Sequence, residues 1–249
     1  WKIPNELPIT SAANYTTALD FGVPDKISLG SSVDLGINSS ISLWINTSTS
    51  GTLLGEDSYI ADYLMYQASA SSIYITIGNT YKTYTHSSST NQWYHIVIVR
   101  QGDSIEVFKD NTSLGTQTGF GTSVTTKIDT IGGKPTAAHP FTGSISNVAV
   151  YNSALTDPQV STLYNNGTPE TAISFSPVSW WKLDTGGSTI TDYGSGGNTG
   201  NNNGASPITS DVLTPQPVNG VSTTLPSTAL QQSDLQFDSP YSNYSLSFD

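Results

Sequence analysis

The chain has 249 residues, of which only 11% are charged, and its net charge is −11. Its 8 basic residues include one arginine, Arg100, so it has no basic footprint for nucleic acid or an anionic membrane surface. No apolar run is long enough to span a bilayer, and the absence of cysteine excludes disulfides and thiolate metal sites. Ser, Thr, Asn and Gly replace charged residues, a composition typical of extracellular or particle-surface β proteins.

Short apolar or alternating runs follow an irregular lead-in over residues 1–14. The run 40–46 alternates, with three aliphatic side chains on one face of a strand and Trp44 on the other. The other strands predicted before residue 90 are 18–21, 26–29, 52–54, 59–67, 72–78 and 81–86. Many short strands separated by turn residues indicate an all-β fold.

The strongest signal is a predicted β-hairpin with arms 93–100 and 104–109 around a Gln-Gly-Asp turn. Alternate side chains of the first arm point to opposite faces, and both rows are largely apolar. An arm that is apolar on both faces is covered on both sides. The hairpin is therefore predicted to lie in the middle of a layered structure, with His95 as a core or interface residue. Two more strands are predicted over 128–132 and 141–151.

One helical segment is predicted over 153–167. Thr156 suits the N-cap, Pro158 the first turn, and Gly167 a left-handed cap at the carboxyl end. The residues of its apolar face are Val160, Leu163 and Tyr164. A single short helix after many strands is expected to plug one open end of the sandwich core.

The composition changes after a Pro-containing linker over 168–177. A new strand begins at Trp180 and Trp181, whose large side chains are expected to be buried against a sheet. Gly, Asn, Ser and Pro dominate residues 185–220, and a last strand is predicted over 242–249. Residues 244–248 (YSLSF) resemble residues 17–21 (TALDF), which indicates a tandem array.

Six motifs occur in a fixed order: ALDF (18–21), SISLWIN (40–46), NQWYHIVIVRQGDSIEVFKD (91–110), TIGG (130–133), FTGSISNVAVYNSALT (141–156) and LYNNG (163–167). This order resembles that of laminin-G-like, concanavalin-A-type jelly-roll domains. WWKLD (180–184) and DYGSGGNTG (192–200) resemble the opening strand and the Asp/Gly-rich loop of the same family. The resemblance implies an all-β, two-sheet antiparallel jelly-roll sandwich with one short helix.

The resemblance also implies the domain organisation. A near-complete domain is expected over 15–167 and the beginning of a second repeat over 178–249. The opening strand of the first repeat then precedes residue 1; alternatively, residues 1–3 (WKI) align with residues 181–183 (WKL). The chain is expected to be a piece of a longer polypeptide.

Glucanases of this architecture carry two Glu and an Asp at i, i+2 and i+4 or i+5 of one strand, which places acid and nucleophile on one face. This chain has four glutamates, and no two are close enough for that motif; they are Glu6, Glu56, Glu106 and Glu170. A non-enzymatic function is therefore predicted. A glycoside hydrolase built from separated Asp residues is a third-ranked alternative.

Domains of this family often hold calcium, which prefers several oxygen ligands. Many related sequences have acidic residues where this chain has Ser146 and Asn147, so that position is not expected to bind the ion. The denser acidic loop GEDSYIAD is the alternative. The predicted metal ligands are Glu56, Asp57, Asp62 and Asp129. The competing interpretation is a set of solvated turn carboxylates.

Glycan binding on this fold uses aromatic rings that stack on sugars, together with amide and hydroxyl groups. Tyrosine combines an aromatic surface with a polar tip. The predicted ligand-binding residues are Tyr59, Tyr63, Tyr66, Tyr81, Tyr84 and, on a loop edge, His139. Ordinary packing of these tyrosines in a sheet is the alternative interpretation.

The resemblance and the tandem pattern favour an extracellular or virion-surface module that binds glycans or a host envelope, as in a phage fibre or an adhesin. The alternative is a purely structural protein for capsid decoration or fibre building, which contacts other virion proteins or other copies. Neither hypothesis involves nucleic acid or membrane insertion.

Overall fold

Two eight-stranded antiparallel sheets form the computed structural model of the chain. It describes residues 18–56, 63–67, 71–87, 92–134, 139–173 and 175–208, with backbone alone for 63–67. The strands are β1 (Ala18–Phe21), β2 (Lys26–Leu35), β3 (Asn38–Asn46), β4 (Ser50–Gly55), β5 (Tyr63–Gln67), β6 (Ser72–Ile77), β7 (Thr80–Thr85), β8 (Trp93–Gln101), β9 (Ser104–Lys109), β10 (Thr112–Gln117), β11 (Thr126–Ile131), β12 (Gly143–Tyr151), β13 (Ser179–Trp181), β14 (Thr189–Ile190), β15 (Gly200–Asn203) and β16 (Ser206–Ile208).

The first sheet, sheet A, is ordered β10-β9-β8-β3-β12-β1-β16, and β13 also pairs with β12. The second sheet, sheet B, is ordered β14-β15-β2-β11-β4-β5-β6-β7. One continuous apolar core joins them, with buried side chains from both sheets. The predicted all-β, two-sheet antiparallel sandwich is confirmed.

The predicted hairpin forms strands β8 and β9, paired in register from Ile96 opposite Lys109 to Gln101 opposite Ser104. Ile96 and Ile98 lie in the core between the sheets. Val97 and Val99 belong to a second apolar cluster on the outer face of sheet A. Both faces of β8 are therefore covered, as the apolar pattern on both faces predicted.

The helix α1 (Asp157–Tyr164) covers this second cluster and does not plug an end of the core, which corrects the predicted position. Val160 and Leu163 pack there with Val97 and Val99. The physical reason lies in β8, since its outward-facing valines need an apolar cover.

Among the described residues, no helix is long and apolar enough to cross a membrane.

Capping residues set the ends of α1. The predicted N-cap is confirmed at Thr156, whose backbone N–H donates to the Gln159 side-chain oxygen at 2.9 Å. The C-cap is Asn165, with φ of 43°, rather than the predicted Gly167. A short 3₁₀ turn, Asn165–Gly167, follows. Asparagine tolerates the left-handed region better than most residues, so it ends the helix two positions earlier.

Residues 179–208 complete the same sandwich. β13 pairs with β12, β16 with β1, and β15 with β2. Trp180 and Trp181 are both buried, which confirms the prediction of burial against a sheet. The second repeat over 178–249 stays a prediction, and its last strand, 242–249, lies outside the described residues.

Strand β15 has the sequence GNNN and was not predicted from the sequence, nor were β10, β14 and β16. Its first residue, Gly200, pairs with Leu29 and lies against the side chain of Ile27. A Cβ atom at Gly200 would approach the Ile27 Cγ2 to 2.5 Å, so only glycine fits without displacement. β15 is held by backbone pairing with β2 and by the close approach of Gly200 to Ile27. Neither feature requires alternating apolar side chains, so the sequence shows no strand pattern there.

His95 is a buried ring beneath α1. It stacks on Trp44 with ring centroids 4.8 Å apart and lies 6.0 Å from the Tyr164 ring. Its Nε2 is hydrogen bonded to the Ser42 hydroxyl at 2.8 Å. Burial lowers the pKa of His95 to about 3, so the folded protein keeps the ring neutral at ordinary pH.

This neutral histidine predicts an acid-labile contribution to stability. The unfolded chain binds a proton near pH 6.5 and the folded chain does not, so stability is fully present above that pH and falls as pH decreases toward 3. The cost at pH 5 is about 2 kcal/mol. Urea unfolding from pH 7 to pH 4 is expected to show a flatter decline in His95→Asn than in the natural chain. Parallel declines would contradict the assignment.

Candidate functional site

The tyrosine-rich region forms strands β5 to β7 at one edge of sheet B. In β6, Ile73, Ile75 and Ile77 are buried in the core. Tyr74 and Thr76 alternate with them and are half-buried on the opposite, outer face.

The next strand separates two predicted ligand-binding residues. Tyr81 is 69% exposed. Tyr84 is 1% exposed, and its hydroxyl donates to the Ile105 carbonyl at 2.8 Å. Burial raises the pKa of this phenol. Tyr84 is therefore a core residue that joins the two sheets, and its predicted role in ligand binding is corrected.

The strand pairing gives the positions of two more of the predicted tyrosines, Tyr63 and Tyr66, within sheet B. Tyr63 is the Cα partner of Gly55 and Thr76, and Thr76 is in turn the partner of Tyr81. Tyr66 is the partner of Gly51 and Ile73, in the row of a core isoleucine. Tyr59 lies outside the described residues.

Tyr74 was missed as a site residue. Its Cα partner is Thr83, and Tyr81 is the diagonal neighbour two positions before Thr83. Diagonal residues of paired strands are about 7–8 Å apart, within reach of aromatic side chains. The sequence does indicate this position, because strict alternation in SIYITI (72–77) places Tyr74 on the face opposite to the isoleucines. We call Tyr74 and Tyr81 the tyrosine platform.

His139 lies beside β4, which β5 separates from the platform strands. The His139 carbonyl accepts a hydrogen bond from the Thr52 N–H at 3.0 Å, and His139 has φ of 60°. Phe141, two residues on, is fully buried and contacts the Phe21 ring edge-on at 6.1 Å. His139 is exposed at the start of this anchored turn, apart from Tyr74 and Tyr81.

The predicted calcium ligands are only partly described. Glu56 directly follows β4, and Asp129 lies in β11, where the next residue, Thr130, pairs with Gly55. This antiparallel register places Glu56 and Asp129 near each other at the end of the β4–β11 pair. Asp57 and Asp62 lie outside the described residues. Within the described ranges, no group of three or more His, Asp or Glu side chains is placed to hold a metal ion.

Ser146 and Asn147, which were not expected to bind calcium, have a structural role. Asn147 is buried in an irregularity of β12, with φ of 50°. Its side-chain oxygen accepts a hydrogen bond from Trp180 Nε1 at 3.1 Å, and its amide donates to the Ser146 hydroxyl. Asn147 therefore binds β13 to β12.

Comparison with known proteins identifies the fold group. Residues 21–161 match the laminin G type of the concanavalin A-like lectin/glucanases superfamily. No curated protein sequence matches the chain.

Two solved structures share this fold. A candidate carbohydrate binding protein from Bacteroides ovatus ATCC 8483 superposes with a TM-score of 0.62 at 20% identity, over 80% of this chain and 61% of that protein. A heptameric SAP-like pentraxin from Limulus polyphemus gives a TM-score of 0.56 at 15% identity, over 80% of this chain and 97% of the pentraxin. The chain thus spans less than two thirds of the Bacteroides protein. With the match over 21–161, the chain belongs to the concanavalin A-like lectin/glucanases superfamily, as a laminin G-type domain.

Proposed function

We propose that the chain is a non-enzymatic carbohydrate-binding module whose tyrosine platform, Tyr74 and Tyr81, contacts the glycan. The observation that carries the proposal is the separation of faces in β6 and β7. Three isoleucines and Tyr84 fill the core, while the platform tyrosines and their partner threonines line the outer face.

Sugar rings have an apolar face of C–H groups and a rim of hydroxyls. An exposed phenol ring offers apolar contact area, and its hydroxyl remains available for hydrogen bonds. Thr83, the Cα partner of Tyr74, supplies a hydroxyl beside the rings, whereas the hydroxyl of Thr76 is buried. This combination suits a neutral glycan lying across the two strands.

The fold supports this proposal, because the Bacteroides ovatus protein that shares it is described as a candidate carbohydrate binding protein. The spacing of the glutamates supports a non-enzymatic role, since the four are at least 50 residues apart and cannot form the glucanase motif on one strand. Glu106 also has a local partner, as its carboxylate accepts a hydrogen bond from the Ser113 hydroxyl at 2.5 Å.

The proposed setting is an extracellular or virion surface, in a phage fibre or an adhesin that contacts a host envelope. Low charge, a surface rich in Ser, Thr and Asn, and the likeness of residues 244–248 to 17–21 support repeated modules displayed outside the cell. A purely structural module that contacts other virion proteins or other copies is the alternative.

Tyr81→Ala is expected to weaken glycan binding about threefold to tenfold, because it removes a stacking ring worth about 1 kcal/mol. A glycan array probed with the full chain and with Tyr81→Ala checks this, and Tyr193→Ala, an exposed tyrosine on a distant loop, is the control for neutral glycans. The same array with a chelator tests the predicted calcium site, whose ligands would be Glu56, Asp57, Asp62 and Asp129. A folded chain that binds no glycan would leave the structural module as the better function.

A further inference from the structure

A second aromatic surface lies on the outer side of sheet A, where Trp180, Lys182 and Tyr193 form a lysine–aromatic cluster. The Lys182 Nζ is 4.6 Å from the Trp180 ring centroid and 4.5 Å from the Tyr193 ring centroid. The two rings are 5.9 Å apart and inclined at 60°. The ammonium therefore lies in an aromatic cleft, stabilised by both rings.

Hydrogen bonds fix the shape of this cluster. Asp192 accepts the backbone N–H groups of Trp180 at 2.7 Å, Gly194 at 2.8 Å and Asn198 at 2.7 Å. The Tyr193 N–H donates to the Trp180 carbonyl at 2.8 Å. Since both rings are attached to anchored backbone, a ligand would not have to order them on binding.

Lys182 carries the positive charge of the cluster. Lys109 and Lys127 form ion pairs with Asp110 and Asp34, respectively. No described carboxylate forms an ion pair with Lys182. On a chain of net charge −11, this ammonium is available to an anion from outside.

Exposure within the cluster is uneven. Tyr193 is 51% exposed, Lys182 is half-buried and Trp180 is 7% exposed. Tyr193 thus presents a stacking surface to solvent, with the ammonium beside it and Trp180 as the inner wall. A ligand that combines an apolar ring face with one carboxylate matches both features.

We propose that the lysine–aromatic cluster binds carboxylated sugars such as uronic acid units. The sugar ring stacks on Tyr193, and its carboxylate pairs with the Lys182 ammonium. This inference takes only the class of ligand, a sugar, from the proposed carbohydrate-binding function. The cluster itself is separate from the tyrosine platform, since it lies on the other sheet. The two sites therefore succeed or fail separately.

Titration calorimetry of the full chain with a galacturonic acid trimer and a galactose trimer tests the proposal. The acidic trimer is expected to bind, and Lys182→Gln and Tyr193→Ala each to weaken it about tenfold. Lys182→Arg, which keeps the charge and serves if Lys182→Gln folds poorly, is expected to retain binding. Added salt is expected to weaken it, because the pair is close to solvent.

Two control variants locate the effect. Lys127→Gln removes an exposed lysine elsewhere, and Tyr81→Ala removes part of the tyrosine platform; both are expected to bind the acidic trimer as the natural chain does. The proposal is overturned if the natural chain does not bind the acidic trimer, or if Lys182→Gln leaves that binding unchanged. If only Tyr81→Ala loses binding to the neutral trimer, that result bears on the proposed function of the tyrosine platform and not on the lysine–aromatic cluster.

Discussion

Trp181→Ala is expected to lower the free energy of unfolding of the whole sandwich by about 3–5 kcal/mol, the cost of truncating a large core side chain. Trp181 is fully buried in the core between the sheets. Its Nε1 donates to the Asn198 carbonyl at 2.7 Å, so the change also removes a hydrogen bond between β13 and the loop before β15.

The variant also tests where the folded unit ends. If residues 179–208 belong to the same sandwich as β1 to β12, urea unfolding followed by far-UV circular dichroism shows one transition at a lower midpoint. Thr191→Ala in the same segment is the control, because Thr191 is exposed and a substitution at such a surface position changes stability by about 0.5 kcal/mol or less. An unchanged midpoint in Trp181→Ala would show that the segment folds independently of the sandwich.

The strands that could be predicted are those whose pattern is local. Successive side chains of β8 point to opposite faces, and both faces are apolar. The sequence therefore predicted that both faces of this strand are covered. The same alternation rule decides the tyrosines, since it gives Tyr74 to the outer face and Tyr84 to the row of Ile73, its Cα partner. The tyrosines between residues 59 and 84 lie close together in the sequence and were therefore predicted as one group, although Tyr81 and Tyr84 point to opposite faces of β7.

Two elements that were not predicted, β15 and β16, pair with strands far along the chain. β15 pairs with β2 across about 170 residues, and its Asn-rich sequence fits because Gly200 can approach Ile27 closely. The position of α1 on sheet A depends on which face of β8 lacks a sheet to cover it. The lysine–aromatic cluster likewise combines Trp180 of β13 and Lys182, which directly follows β13, with Tyr193 from a loop. The spacing of these residues in the sequence does not show that they meet.

Arg100→Met is expected to lower the free energy of unfolding by about 3 kcal/mol, since hydrogen bonds to a charged group are worth about 1.5–3 kcal/mol each. Arg100 is 2% exposed. Its Nε donates to the Gly102 carbonyl at 3.2 Å, and its Nη2 donates to the carbonyls of Gly121 at 2.9 Å and Val124 at 2.6 Å. One side chain thereby attaches the loop before β11 to the end of β8.

Asp103 reinforces the same loop. Its carboxylate accepts the N–H groups of Gly119 at 2.9 Å and Gly121 at 2.6 Å, and these bonds, with a smaller contribution from the charge of Arg100, lower the pKa of Asp103. Lys cannot reproduce the forked geometry of the guanidinium. Arg100→Lys is therefore expected to recover only part of the stability lost in Arg100→Met.

The control for the loss of a positive charge is Lys127→Met. Lys127 pairs with Asp34 at 3.6 Å on the surface, and such exposed pairs contribute about 1 kcal/mol or less. Urea unfolding compares the three variants, and amide hydrogen exchange over residues 119–125 reports on the loop itself. Faster exchange there in Arg100→Met, with strands β3 and β12 unchanged, is the expected local signature. Equal destabilisation by Lys127→Met would mean that net charge, rather than the three carbonyl contacts, determines the effect.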